Sequence, residues 1–121
     1  MVRILIIDDE PKLVDVISSY FEKEGFQTVS VFNGKDALYH LKVSSFDFVI
    51  LDLMLPDISG EELCQMIRDN HSIPILILSA KYGEDDRIHG LSIGASDYMK
   101  KPFSPRELVL RVKNILRQSN L

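Results

Sequence analysis

Short apolar runs alternate along the chain with longer segments in which apolar residues recur at helical spacing. An uninterrupted apolar run bounded by turn-forming residues is typical of a strand buried on both faces of a parallel sheet. Apolar residues three and four positions apart are typical of a helix with one buried face. The pattern predicts strands at residues 2–7, 27–31, 48–51, 75–78 and 96–99, each followed by a helix.

Residues that start or end helices separate these segments. Pro11 suits a first helical turn, Gly25 suits a helix end, and Ser104 suits the cap of the last helix. The second helix is expected at 36–41 and the fourth at 84–92, where Gly90 interrupts a segment with few large apolar residues and predicts weak anchoring. The residues expected to face the core are Leu13, Val14, Ile17, Tyr20, Phe21, Ala37, Leu38, Leu41, Leu63, Met66, Ile67, Leu108, Val112, Ile115 and Leu116.

Five strand and helix units in alternation predict an α/β fold, a three-layer sandwich with helices on both faces of a parallel sheet. The length of 121 residues allows one domain, residues 1–121.

Acidic residues follow two of the strands: Asp8, Asp9 and Glu10 after the first, and Asp52 after the third. Carboxyl ends of parallel strands meet at one edge, which is where such sheets bind ligands. Two carboxylates 4 Å apart repel by roughly 4 kcal/mol at an effective dielectric of 20, so the cluster predicts a bound cation.

Composition and charge limit the partners and the cellular compartment that this chain is expected to have. A net charge of -4 and a pI near 5.3 disfavour direct contact with nucleic acid, which requires a basic face. The single Cys64 cannot form an internal disulfide, which favours a reducing intracellular compartment. No segment reads as a signal peptide or a membrane span, so we expect a cytoplasmic protein with no membrane partner.

The residues at the predicted sheet edge suit phosphoryl chemistry. Asp8, Asp9 and Asp52 could hold Mg²⁺, which prefers a few carboxylates together with water and phosphate oxygens. Asp52 could itself be the nucleophile, because carboxylates form acyl phosphates. Ser79, directly after the predicted fourth strand, and Lys101, in the segment that follows the predicted fifth strand, could hold the other phosphoryl oxygens.

Short motifs lie in a fixed order along the whole chain. They begin at the first strand and end before the last helix. They are Ile-Asp-Asp-Glu-Pro at 7–11, Leu-Asp-Leu-Met-Leu-Pro at 51–56 with Gly60, Leu-Ser-Ala at 78–80, Gly-Ala-Ser-Asp-Tyr at 94–98 and Lys-Pro-Phe at 101–103.

This set of motifs resembles the receiver domain of two-component response regulators. The resemblance implies a flavodoxin-like (βα)5 fold with strand order 2-1-3-4-5 and phosphorylation of Asp52 by a sensor histidine kinase. It implies that Asp9, Asp52 and the backbone carbonyl of Met54 bind Mg²⁺, with Asp8 acting through water. It also implies a signalling domain whose only catalysis is its own phosphorylation and slow dephosphorylation.

Segments 102–108 and 111–113 resemble the OmpR/PhoB subfamily of transcription factors. Members carry a winged-helix DNA-binding domain after the receiver, so DNA would be contacted only through a domain that this chain lacks. The resemblance implies that Ser79 and Tyr98 form the switch, with Tyr98 turning inward on phosphorylation. It implies a homodimer through the fourth helix, fifth strand and fifth helix, using Arg87, Ile88, Leu91, Asp97, Glu107, Val109 and Arg111.

Two details of that face stay open at the level of sequence. Arg87 with Glu107, and Asp97 with Arg111, match ion pairs across the interface, whereas Ser92 and Ser96 stand where relatives often carry acids. On spacing alone, Ile88 and Leu91 could instead face the core.

Other functions fit the residues less well. A haloacid-dehalogenase-like phosphatase would need a second acid at position 54, which is Met. A nucleotide or flavin binder would need a glycine-rich loop after the first strand. An interaction module that is never phosphorylated would lack one of the five key residues, all of which are present. The remaining alternative is a stand-alone receiver that signals through a protein partner.

Overall fold

The computed structural model describes residues 1–119 as strands and helices in strict alternation. The strands are β1 (Arg3–Ile7), β2 (Gln27–Val31), β3 (Phe48–Leu51), β4 (Ile75–Ser79) and β5 (Asp97–Lys100). The helices are α1 (Pro11–Lys23), α2 (Gly34–Val43), α3 (Gly60–Asn70), α4 (Glu84–Ser92) and α5 (Pro105–Ser119).

The strands form one parallel sheet in the order β2-β1-β3-β4-β5, which confirms the predicted fold and strand order. One face packs against α1 and α5 through a core that includes Ile6, Ile17 and Val112. The other face packs against α2 and α3 through a core that includes Leu5 and Leu63. The central strands are therefore covered on both sides, as their uninterrupted apolar runs indicate.

Most predicted boundaries agree with the structure, and the differences have local causes. Helix α2 begins two residues before the predicted start because the Asn33 side chain accepts a hydrogen bond from the Asp36 N–H and caps it. Gly25 follows the last turn of α1 with a φ of +86°, as predicted for a glycine at a helix end. The Ser104 hydroxyl accepts a hydrogen bond from the Glu107 N–H and caps α5.

Two residues predicted to face the core are exposed. Tyr20 lies at the edge of the buried face of α1, where the Lys23 ammonium stands 5.7 Å from the ring centroid. Met66 is on the solvent side of α3, because that helix buries Leu63, Cys64 and Ile67 instead. Leu63 and Ile67 are buried as predicted, and Cys64 takes the buried position expected for Met66.

Helix α4 is the least buried helix, as Gly90 and the scarcity of large apolar residues suggested. Gly90 is its only buried residue. Ile88 and Leu91 have 57% and 50% of their surface exposed, so neither belongs to the core.

Candidate functional site

The site lies where the two central strands end. Residues Ile7 and Leu51 are paired in register across β1 and β3, so the next residue of each strand, Asp8 and Asp52, emerges at the same place. Both carboxylates are buried, whereas Asp9 and Glu10 are exposed beside them. This is the point at which the order of strands along the sheet reverses, the usual ligand position in open parallel sheets.

The four acidic side chains form a compact group. One carboxylate oxygen from each of Asp8, Asp9, Glu10 and Asp52 lies within 4.8 Å of the others. An oxygen-only donor set of this kind suits a hard divalent cation, Mg²⁺ in particular. The acidic cluster is therefore compatible with a metal site.

Lys101 supplies the positive charge that the cluster contains in this structure. Its ammonium lies 2.9 Å from Asp8 Oδ2, 3.0 Å from Asp52 Oδ2 and 3.3 Å from Glu10 Oε1. Burial lowers the pKa of Lys101, but its hydrogen bonds with Asp8 and Asp52 outweigh that effect and raise the pKa above the ordinary lysine value. The side chain is therefore charged across the neutral range.

The carboxylates are also held by backbone groups. Asp8 Oδ1 accepts the Glu10 N–H at 3.0 Å, and Asp52 Oδ1 accepts the Met54 N–H at 3.1 Å. Burial raises the pKa of Asp8, and the hydrogen bond from Lys101 opposes that rise. Asp52 has one oxygen on a backbone amide and the other on Lys101, so its orientation is fixed from both sides.

Ser79 and Tyr98 are joined through the residue that follows β4 by two positions. Ser79 is buried, and its Oγ accepts the Lys81 N–H at 3.1 Å. The Tyr98 hydroxyl donates to the Lys81 carbonyl, and the ring has only 4% of its surface exposed. Burial raises the pKa of Tyr98. The two predicted switch residues therefore both hydrogen-bond with the backbone of Lys81, and the Tyr98 side chain is buried in this structure.

An open cavity of about 440 Å³ adjoins the acidic cluster. Asp9, Met54, Glu61 and Lys81 lie along its wall, and the Lys81 ammonium stands 3.4 Å from Glu61 Oε2. The cavity is large enough for a small phosphodonor, and Asp9 is the member of the acidic cluster that lines it.

The loop after β3 is fixed by Asp57, a residue that the sequence analysis left without a role. Its carboxylate accepts the N–H groups of Gly34 and Lys35, both at 2.8 Å, and of Ile58 at 2.9 Å. The hydrogen bond from Gly34 is the main reason that the pKa of Asp57 is lowered. An acid after a Pro in a turn is a familiar sign of backbone capping, and it could have indicated this contact.

Gly60 allows the start of α3 to lie close to the loop that follows β3. A Cβ atom at position 60 would lie 2.2 Å from the Leu53 Cα, so only glycine allows the start of α3 to approach the loop after Asp52.

The predicted dimer face forms ion pairs within one chain. Arg111 lies 3.1 Å from Asp97 and 3.1 Å from Glu107, so both acids share one guanidinium. The Arg87 guanidinium does not pair with Glu107 and instead lies over the Tyr82 ring, 4.9 Å from its centroid.

The apolar part of this face is smaller than predicted. Ile88 and Leu91 are exposed on α4, as an apolar patch requires. Val109 is not part of that exposed patch: only 7% of its surface is accessible, because it packs into the core between the sheet, α1 and α5.

Comparison with known proteins places this geometry in a family. A family model of the response regulator receiver domain matches residues 4–113. The chain belongs to this family. Receiver domains are signalling modules of two-component systems, which take their signals from histidine kinases.

The receiver domain has close relatives among curated proteins. It is 48% identical over 117 residues to response regulator SaeR of Staphylococcus epidermidis, covering 96% of this chain and 51% of SaeR. The chain thus spans about half the length of the curated relatives it matches.

Solved structures of response regulators have the same fold as this chain. The receiver domain of Francisella response regulator 1452 superposes with a TM-score of 0.94 at 34% identity, covering 98% of this chain and 99% of that one. DrrB of Thermotoga maritima, an OmpR/PhoB homologue, superposes with a TM-score of 0.91 at 32% identity, covering 98% of this chain and 54% of DrrB. The predicted resemblance to OmpR/PhoB-like receiver domains is confirmed.

Among residues 1–119, none of the helices combines the length and the apolar composition that crossing a bilayer requires.

Proposed function

We propose that this receiver domain accepts a phosphoryl group on Asp52 from a sensor histidine kinase. The observation that carries the proposal is the buried Asp52 carboxylate, which lies 3.0 Å from the Lys101 ammonium and is grouped with three further acids, one of which, Asp9, lines an open cavity. A nucleophile, a fixed positive charge and a metal-binding donor set thus meet at one point.

The reaction follows from these groups. A carboxylate oxygen of Asp52 attacks phosphorus, and the phosphorus–nitrogen bond of a phosphohistidine donor breaks, with its electron pair leaving on the imidazole nitrogen. The Lys101 ammonium, which already contacts Asp52, and the buried Ser79 hydroxyl would stabilise the negative charge on the phosphoryl oxygens. Positioning and charge stabilisation are the main requirements of phosphoryl transfer.

The acidic residues fit Mg²⁺. Asp8, Asp9, Asp52 and the backbone carbonyl of Met54 would hold the ion, since Mg²⁺ binds a few hard oxygen ligands and completes its shell with water and phosphate. When bound, the ion would neutralise the charge of the phosphoryl group. Its positive charge would add to that of Lys101, which contacts Asp8 and Asp52.

We further propose that phosphorylation acts on the face formed by α4, β5 and α5 and promotes a homodimer in the cytoplasm. A phosphoryl group adds a charge of about -1.5 to -2 and recruits hydrogen-bond donors. Ser79 is the hydroxyl residue of β4, and it is joined through Lys81 to Tyr98 on β5. The weakly buried α4 is the element that such a pull can shift, with a typical coupling of roughly 1–3 kcal/mol.

The natural protein would regulate transcription through an attached winged-helix domain. The similarity of this chain to half of SaeR and of DrrB supports that arrangement over the alternative, a stand-alone receiver that signals through a protein partner.

Phosphate uptake tests the central proposal. We expect the protein to gain one phosphoryl group from acetyl phosphate with Mg²⁺, and the Asp52→Asn variant to gain none, because an amide oxygen is a poor nucleophile. Intact-mass spectrometry measures the product. Asp69→Asn, a change of the same kind at an exposed acid on α3, should behave as the wild type. Equal uptake by the wild type and Asp52→Asn, or uptake by neither, would refute the proposal.

A further inference from the structure

We propose that Tyr82 is a positioning residue of the switch. Together with Gly90 it forms a slot that holds Tyr98 inward and thereby fixes the Lys81 backbone and the Ser79 hydroxyl before a phosphoryl group arrives. The inference rests on the proposed function and deepens it, because it assigns Tyr82 to the positioning of Ser79, the hydroxyl proposed to contact the phosphoryl group.

Gly90 forms the wall of the slot on the side of α4. A Cβ atom at this position would lie 2.8 Å from both Cδ2 and Cε2 of Tyr98 and 3.1 Å from Cδ1 of Ile77. The ring therefore occupies the space that any other residue at position 90 would need. Backbone contact with α4 is possible only because this helix carries a glycine in its interior.

Tyr82 covers the ring of Tyr98 on another side. The two ring centroids are 5.9 Å apart and the planes are inclined by 58°, a favourable aromatic geometry. Tyr82 has 36% of its surface exposed, whereas Tyr98 has 4%. Tyr82 is thus placed between solvent and the buried switch residue.

Arg87 holds Tyr82 in place from α4. Its guanidinium lies 4.9 Å from the centroid of the Tyr82 ring, within the range of a cation–π interaction. Its Nε is buried and has no hydrogen-bond partner among the described residues, so stacking on the ring, and not a polar contact of Nε, orients this part of the side chain. Arg87, Tyr82 and Tyr98 form a continuous stack from the surface of α4 to the interior.

The stack is connected to the phosphoryl site by two hydrogen bonds. The Tyr98 hydroxyl donates to the Lys81 carbonyl, and the Lys81 N–H donates to Ser79 Oγ at 3.1 Å. Ser79 Oγ is an acceptor in that bond, and the Ser79 side chain also hydrogen-bonds with Tyr98, which opposes the effect of burial on the pKa of Tyr98. If Tyr98 leaves the slot, the Lys81 carbonyl loses its donor and the loop that orients Ser79 is released.

Four variants of the whole chain test this role. Tyr82→Ala removes the cover, Gly90→Ala fills the slot, Tyr82→Phe keeps the ring, and Tyr39→Ala removes an exposed tyrosine on α2 as the matched control. Fluorine NMR of protein labelled with 3-fluorotyrosine, with Tyr98 assigned by Tyr98→Phe, reports the solvent exposure of each ring. Titration with beryllofluoride in the presence of Mg²⁺ reports how well the site accepts a phosphoryl mimic.

We expect Tyr82→Ala and Gly90→Ala to expose Tyr98 and to weaken beryllofluoride binding by about 3- to 10-fold, a size consistent with the loss of one aromatic contact. Tyr82→Phe and Tyr39→Ala should match the wild type in both measurements. If Gly90→Ala does not fold, Tyr82→Ala, which changes a partly exposed loop residue, still provides the test.

The outcomes separate this inference from the proposed function. A Tyr82→Ala protein with Tyr98 still buried, or with Tyr98 exposed but unchanged beryllofluoride affinity, would overturn the role of Tyr82. A wild-type protein that does not bind beryllofluoride would overturn the proposed function instead, and with it the link to Ser79.

Discussion

At the level of single residues, Lys101 separates two buried carboxylates that would otherwise repel each other. Its ammonium contacts both Asp8 and Asp52 at hydrogen-bond distance, and its side chain is largely shielded from solvent. The expected role of Lys101 was to hold phosphoryl oxygens. Its position adds a structural role, because it is the counter-charge in the part of the acidic cluster that is buried.

Removal of Lys101 should therefore destabilise the protein. We expect Lys101→Met to lower the free energy of unfolding by about 3 kcal/mol at neutral pH in the presence of a chelator, since two buried acids lose their partner. Urea unfolding measures the change. Lys100→Met, at an exposed lysine one position earlier, should have almost no effect. The prediction fails if both variants are equally stable, and a second change, Asp8→Asn, should restore part of the loss.

Met54 and Lys81 lead to a prediction about the lifetime of the phosphoryl group. Neither side chain offers a carboxylate or amide that could orient an attacking water, and the Lys81 ammonium is paired with Glu61. We expect a half-life on the order of hours for phosphorylated Asp52, because hydrolysis depends on that orientation. Loss of the phosphoryl mass from purified protein measures it. Met54→Asn, which adds an amide, should shorten the lifetime, and a wild-type half-life of seconds would contradict the prediction.

The members of the site could be predicted from sequence, but their contacts could not. Asp8, Asp52 and Ser79 each follow an apolar run, and Lys101 follows the last predicted strand. Parallel strands bring such positions to one edge. The pairing of Lys101 with Asp8 joins residues 93 positions apart, and no local pattern encodes it. The contacts of Asp57 could not be predicted for a similar reason. Asp57 lies in the loop after β3, whereas its partners Gly34 and Lys35 lie at the start of α2.

At the level of elements, α4 differs from the other helices in what anchors it. Helix α1 buries Val14, Ile17 and Phe21, whereas α4 buries only Gly90. The contact between Gly90 and the Tyr98 ring is therefore a large part of what attaches α4 to the sheet. A helix held in this way can change position without disrupting the core.

Amide hydrogen exchange should detect this difference. We expect the amides of α4 to exchange at least about tenfold faster than those of α1 in the unphosphorylated protein, because opening a segment with few buried contacts requires less free energy. Mass spectrometry of peptides covering the two helices measures the rates. Equal protection of α1 and α4 would contradict the idea that α4 is loosely attached.

The sequence predicted the elements well where the apolar pattern was strong. The strands buried on both faces gave uninterrupted runs, and their order followed from the family resemblance. The exact rotation of a helix was harder to predict, because residues at the edge of an apolar stripe can face either way. Tyr20 and Met66 fell on the exposed side for that reason, and Ile88 and Leu91 could be assigned to the surface only from the structure.

At the level of the whole molecule, the two faces of the sheet have different relations to the site. Tyr98 belongs to the core on the side of α2 and α3, whereas α1 and α5 pack on the other face of the sheet. Under the proposed function, we therefore expect a change at Ser79 and Tyr98 to reach α4 on that side and to leave α1 and its core in place.

Self-association should depend on phosphorylation and on the exposed residues of α4. We expect beryllofluoride with Mg²⁺ to shift the protein from monomer toward dimer, because phosphorylation is proposed to alter the face that carries the exposed residues Ile88 and Leu91. Multi-angle light scattering measures the mass. Ile88→Asp should prevent the shift, and Tyr39→Asp, at an exposed position on α2, should not. Dimers that form equally without beryllofluoride would contradict the switch.

Arg111 has a consequence for how two copies could recognise each other. Within one chain it is already paired with both Asp97 and Glu107, so a dimer that re-forms such pairs of Arg111 between subunits exchanges existing contacts for new ones. Exposed ion pairs contribute little stability in any case. The free energy of association must then come from covering Ile88 and Leu91, while the charged residues decide which surface is accepted as a partner.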